Sequence, residues 1–295
     1  MAAPGEIATS STGIAPALAD FTRQIGAELA AEAPELPAFP EIAMRVRQAL
    51  GREEVSIEEV VRIVGAEPSL SVRLLQLANS TAVNPSAQRV TTLRAAIARM
   101  GFSLARSATI AFAMSQMRRA ESWRGLQEQF RVIWESCARL AATSYSLARH
   151  CRRADADQAL LAGMLHAVGK LFVLTRVSRY PALMSDAAIA AEIDNVWHAR
   201  AARVLLARWE LPPDVVEAAC GFDQATAAGG GPTSLADVLL SAHYLAGVQE
   251  PSELANAAFM AAPCFARLGI DAAGAAQVLQ ASAAEIASLR AALAD

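Results

Sequence analysis

Apolar residues recur at spacings of three and four along this chain, and no apolar–polar alternation of period two runs long enough to build a strand. Leu18, Phe21, Ile25 and Leu29 set the pattern as one stripe of an amphipathic helix. Val60, Ile63 and Val64 repeat it, as do Leu70, Leu74, Leu75 and Leu77. Phe130, Ile133, Trp134, Leu140 and Leu147 extend it over a long helix expected at about 127–150. The periodicity predicts an all-α protein. With 295 residues the chain can bury a core without covalent staples.

Punctuation residues divide the helices. Pro34, Pro37 and Pro40 end the first and force an extended connection. A second helix carries Ile42, Val46 and Leu50 and stops at Gly51. Ser56 and Glu59 fit a capping box, and Pro68 suits a first helical turn. The segment 83–90 reads as a loop. Thr92 can cap a helix ending at Gly101, and Ser103 can cap the next, through Met117. The polar stretch 118–125 marks a junction between two halves. Helices are expected over 156–166, 170–175, 187–209, 235–247, 252–259 and 272–293. Pro212 and Pro213 mark a break, and Gly229-Gly230-Gly231-Pro232 a flexible link. No internal repeat is present.

Composition narrows the function classes. The charged fraction is 19% and the hydrophobic fraction 54%, which excludes a long disordered chain. A net charge of -3 and a pI of about 5.9 argue against a surface built to neutralise phosphates, so no DNA partner is expected. The short run Arg149-His150-Cys151-Arg152-Arg153 reads as a solvated helix end that complements the helix dipole. Cys137, Cys151, Cys220 and Cys264 form no C-x-x-C pair and read as thiols in a reducing compartment. The N-terminus lacks a basic region followed by an apolar stretch. The longest apolar stretches, such as 187–193, are broken by charge well short of a span. The expectation is a cytoplasmic protein with no membrane contact.

One segment carries possible chemistry: Gly163-Met164-Leu165-His166-Ala167-Val168-Gly169-Lys170. An apolar helix meets a histidine, and Gly169 is expected to end that helix, placing His166 in its last turn. There a histidine can ligate a metal, or can sit in the core with its hydrogen bond satisfied. His150 and His198 read as structural or solvated. No G-x-S-x-G elbow and no G-x-x-x-x-G-K phosphate loop occurs.

That segment is similar to the signature of HD-type metal phosphohydrolases, in which a helix ends in adjacent His and Asp before a glycine and a basic residue. Other motifs narrow the likeness. Leu36-Pro37-Ala38-Phe39-Pro40-Glu41-Ile42-Ala43, Pro68 to Ser80, Val90 to Ile97, Met100-Gly101-Phe102 and Trp209-Glu210-Leu211-Pro212-Pro213 appear in the order found in HDOD domains. The chain therefore resembles the HDOD family over about 35–250.

The resemblance implies a two-lobed helical bundle. One lobe spans about 35–120 and the second, about 121–250, is a degenerate HD-like core. Residues 1–34 would form a lead and a helix bracing either half, and 251–295 would be helices packed on the second lobe. In HD enzymes the dyad holds a divalent metal that activates water against a phosphate ester. Here Ala167 replaces the dyad's acid, Ser136 stands where an upstream histidine is expected, and His243 where a later aspartate is expected. His166 is the one ligand-type residue retained, with His243 a chemically possible substitute. The expectation is no catalytic residue, no metal and no cofactor.

Arg73 and Asn79 of the Pro68–Ser80 motif, and Lys170, are candidate binding residues; each also has a structural reading, with Asn79 capping a helix in left-handed geometry. The implied function is a bacterial signal-transduction output or adaptor module, like those accompanying receiver domains, acting by binding a signalling protein or a small nucleotide. The alternative is a metal-dependent phosphohydrolase acting on a nucleotide or cyclic dinucleotide.

Overall fold

A computed structural model describes residues 14–31, 46, 56–86, 88–117, 123–207, 209, 211–222, 233–248, 254 and 258–294. The expected helix through Ile42 and Leu50, the Leu36–Ala43 motif, the Gly229–Pro232 link and Glu210 lie outside them. Among the described residues there is no strand. The helices are α1 (Ile14–Ala30), α2 (Ile57–Gly65), α3 (Pro68–Ala78), α4 (Leu93–Met117), α5 (Gln127–Cys151), α6 (Ala156–Leu165) and α7 (Val168–Val177). They continue as α8 (Pro181–Met184), α9 (Ala187–Ala207), α10 (Pro213–Gly221), α11 (Leu235–Ala246), α12 (Pro263–Leu268) and α13 (Ala272–Ala294). Where a helix is expected over 252–259, the described part is a 3-10 turn at Ala258–Ala261.

Local signals explain most boundaries. The Ser56 side chain accepts from the Glu59 amide, Pro68 opens α3, and Thr92 accepts from the Ala95 amide. Gly101, with φ 72°, breaks α4 into two pieces, a conformation that disfavours a side chain. Ser234 and Asp237 form a capping box at the start of α11 that the sequence reading did not single out.

The first lobe packs α2 and α3 on α4. In the second, α5 is the axis, with α6, α11 and α13 against it. From Cys137 to Ala148 nearly every residue of α5 is buried, and small ones (Ala141, Ala142, Ser144, Ser146) let the neighbours approach. Gly163 of α6 sits at a tight crossing with α5, where a Cβ would fall 2.6 Å from the Ala141 Cα. The buried apolar residues form one cluster from Leu18 to Ala292, so both lobes share a core.

α1 packs on α7 and α8, in the second lobe. Buried Arg176 of α7 holds it there by pairing with Glu28, with the guanidinium 3.8 Å from the Phe172 ring centroid. α13 lies along α5 and also reaches α3 and α4.

Three expectations need correction. Gly169 does not end a helix: α6 stops at Leu165, His166 caps it, and Gly169 lies in the first turn of α7. Its lack of a side chain serves packing, because a Cβ there would overlap the backbone carbonyl of His198 on α9. Asn79 caps α3 as expected, but without left-handed geometry (φ -98°, ψ 0°). And Ala156–Val177 is apolar enough over 22 residues to cross a membrane by length and composition, although no such stretch was expected. It is instead two helices broken at His166–Ala167, and 83% of its most apolar window is buried inside the fold.

Candidate functional site

The turn between α6 and α7 places the HD-like residues. Asp155 caps α6 by accepting from the Gln158 amide at 2.8 Å, and Ala159 to Leu165 are all buried. The helix thus runs through the core and delivers His166 at its end. His166 Nδ1 lies 2.7 Å from the Gly163 carbonyl oxygen, so in the neutral ring Nδ1 carries the proton and Nε2 the lone pair. Ala167 is 1% exposed, and its methyl occupies the place where an HD dyad needs a carboxylate.

The other two positions lie differently. Ser136 is exposed on α5. Its neighbour Cys137 is the residue that faces the turn: its thiol is fully buried and accepts a hydrogen bond from the Ala167 backbone. Burial pushes that thiol up to about 12, against the smaller lowering effect of the hydrogen bond and of Lys170, so it stays protonated. His243 lies in the last turn of α11 and is exposed.

An aromatic ring packs against both histidines. Phe222, which caps α10, packs edge-on to His166 at 5.9 Å between centroids and tilts against His243 at 5.6 Å. The series continues through Tyr244 to Phe265. Phe222 falls in the stretch Cys220-Gly221-Phe222-Asp223-Gln224, where some relatives carry paired histidines. Among the described residues no group of three or more His, Cys, Asp or Glu could hold a metal. Catalytic zinc typically uses three protein ligands and a water. The described residues at this turn do not supply that ligand set.

Lys170 lies one turn beyond His166 and pairs with Asp194 of α9 at 3.3 Å. Both edge an apolar groove of about 520 Å³ containing Val132, Val173, Leu174 and Val177. Arg73 and Asn79 are on the other lobe. Arg73 donates to the Ala292 carbonyl at 2.8 Å, near the C-terminal end of α13, where a cation suits the helix dipole. Asn79 donates to the Leu75 and Val90 carbonyls, both at 2.8 Å, and accepts from the Val90 amide at 2.7 Å. It clamps the loop that follows α3. Neither residue joins the His166 turn.

Sequence comparison agrees with this architecture. The HDOD domain profile matches residues 36–223. The chain belongs to the HDOD family.

Crystal structures share the HDOD fold seen here. A Shewanella amazonensis protein named as a candidate metal-dependent phosphohydrolase superposes with a TM-score of 0.75 at 22% identity, over 94% of this chain and 99% of that one. An HDOD domain protein of unknown function from Geobacter sulfurreducens gives 0.63 at 19% identity, over 93% and 98%. A Marinobacter aquaeolei protein named as a candidate signal transduction protein gives 0.59 at 17% identity, over 94% and 66%. At these identities the likeness speaks for the fold. No curated protein matches the chain significantly.

Proposed function

We propose that this HDOD protein is a non-catalytic module of bacterial signal transduction, an output or adaptor unit that acts in the cytoplasm by binding a partner protein or a small nucleotide. The observation that supports this most is the buried methyl of Ala167 next to His166, with the apolar ring of Phe222 packed against both His166 and His243. Two imidazoles against an apolar ring, with no carboxylate at position 167, lack the ligand number and negative oxygens that hold a cation and activate water among the described residues. The scaffold is otherwise well packed, which suits a unit that presents surfaces. The net charge of -3 favours a protein or a small ligand over DNA.

The test is metal and activity together. Purified protein incubated with Zn²⁺, Mn²⁺ or Mg²⁺ and desalted is expected to retain less than stoichiometric metal, and to leave a phosphodiester such as bis(p-nitrophenyl) phosphate unhydrolysed. Stoichiometric metal and hydrolysis, both lost on His166→Ala, would establish the phosphohydrolase reading in its place. Affinity capture of the tagged protein from its host then asks for the partner, and a salt-dependent gel shift with duplex DNA is expected to show no binding.

A further inference from the structure

A second groove lies away from the histidine turn. It is bounded by α3, the loop 80–91 and the last turns of α13, and has a volume of about 900 Å³. Small-molecule pockets typically run from about 300 to 1,000 Å³. One side is apolar: Val72, which is 54% exposed, with Leu75 and Val90 beside it. The lining also includes the polar residues Gln76, Thr81, Thr91 and Ser288 and one cation, Arg89. No carboxylate lines the groove among the described residues, and none of them pairs with Arg89.

Ser80 adds an independent observation. It lines this groove, is 5% exposed, and its buried hydroxyl has no hydrogen-bond partner among the described residues. Buried polar groups are normally paired, and one that is not asks for a missing partner. The walls are also held in place. Asn79 clamps Val90, while Asn84 and Arg99 both donate to the Gln88 carbonyl at 2.8 Å, fixing the loop that carries Arg89. Thr81 bonds to Ser288 and to the Ala284 carbonyl, and Arg73 to Ala292, which fixes α13 as the opposite wall. A wall ordered before binding loses little freedom when a ligand arrives.

We infer that this groove is a binding site for a nucleoside monophosphate, with the phosphate on Arg89 and the base over Val72 and Leu75. An unpaired guanidinium matches a phosphate's planar pairs of oxygens. Exposed Val72 with Leu75 suits a flat, weakly hydrated ring, and the hydroxyls and amide of the same lining suit a ribose. The inference deepens the binding role proposed above and locates it away from the His166 turn.

The experiment is calorimetric titration of the full chain with AMP, GMP, CMP and UMP, with the matching nucleosides and inorganic phosphate as separate arms. At least one monophosphate is expected to bind with submillimolar Kd, and its nucleoside and free phosphate at least tenfold more weakly. Arg89→Ala and Val72→Glu, both at exposed positions, should each weaken binding tenfold or more. Ser80→Ala should weaken it several-fold without lowering Tm, and His166→Ala should leave it unchanged. Absence of binding by all four, or binding indifferent to Arg89→Ala, overturns the inference. Binding lost on His166→Ala overturns this location, whereas metal-dependent hydrolysis would sink only the non-catalytic reading.

Discussion

The α-carbon of Gly169 lies against the backbone carbonyl of His198, so close that a Cβ at 169 would overlap the carbonyl oxygen. Helices α7 and α9 therefore cross backbone to backbone one turn past His166, and the position of the histidine turn depends on a missing side chain. Backbone cannot swing aside as a flexible side-chain end can. Gly169→Ala is expected to destabilise the fold by about 1–3 kcal/mol or more, the range for overpacking a filled core. Chemical denaturation checks this, with Gly247→Ala as control, since a Cβ there stays 3.5 Å from its nearest neighbour.

Asn79 serves three hydrogen bonds from one amide. Asn79→Ala leaves the Val90 amide and carbonyl without their side-chain partner, and should cost about 1–3 kcal/mol. Asn79→Asp should cost no less, because a carboxylate oxygen would face the Leu75 and Val90 carbonyls where the amide now donates. Hydrogen exchange should show the loop 80–90 opening first in both variants.

Asp237 and Arg267 form an ion pair with side chains 3% and 15% exposed. Burial works against the Asp237 carboxylate, but hydrogen bonds from Arg267 and Ser234 outweigh it and hold its pKa below the ordinary carboxylate value. A folded-state pKa below the unfolded value of roughly 3.9 gives stability that is complete above that value and lost as pH falls through the folded-state pKa. Asp237→Ala should cost about 3–5 kcal/mol at neutral pH, since it strands a largely buried cation. The Tm gap between wild type and variant should narrow as pH is lowered from about 5 to 2.

The four cysteines are free thiols; Cys137, Cys220 and Cys264 are buried and Cys151 is half-buried. Burial pushes Cys151 and Cys220 up to about 11 and Cys137 to about 12. At pH 8 the native protein should react slowly with Ellman's reagent, with no more than one thiol titrating before unfolding. Cys151→Ser should remove that phase, and denaturant should release the remainder. Rapid native labelling of Cys137 would mean that the α5 contact with the His166 turn opens readily.

Leu70, Leu74 and Leu77 are each at most 1% exposed, as their spacing requires. Leu74→Ala should therefore cost about 2–5 kcal/mol. Val72, between them in sequence, faces solvent at 54% exposure, and Val72→Ala should change stability by less than about 0.5 kcal/mol. Paired urea titrations would separate the buried face of α3 from the groove face.

The histidine site was only partly legible in sequence. His166 and Ala167 announce themselves by adjacency, because a metal dyad is a local motif. Ser136 is the facing position that the family likeness implies on α5, yet helix rotation turns Cys137 inward and Ser136 out. Phe222 is distant in sequence and chemically ordinary, so only its contact with both histidines gives it meaning.

What the sequence determined by itself was most of the helices, several of their caps and the family, since periodicity, capping and ordered motifs are written in near neighbours along the chain. The tertiary structure alone decided that Gly169 is a contact point rather than a helix end, that Arg73 and Asn79 brace α13 and a loop, and that Phe222 packs against both histidines. Those facts depend on which faces of distant helices meet, and a local pattern fixes which side of a helix is buried without fixing what it is buried against.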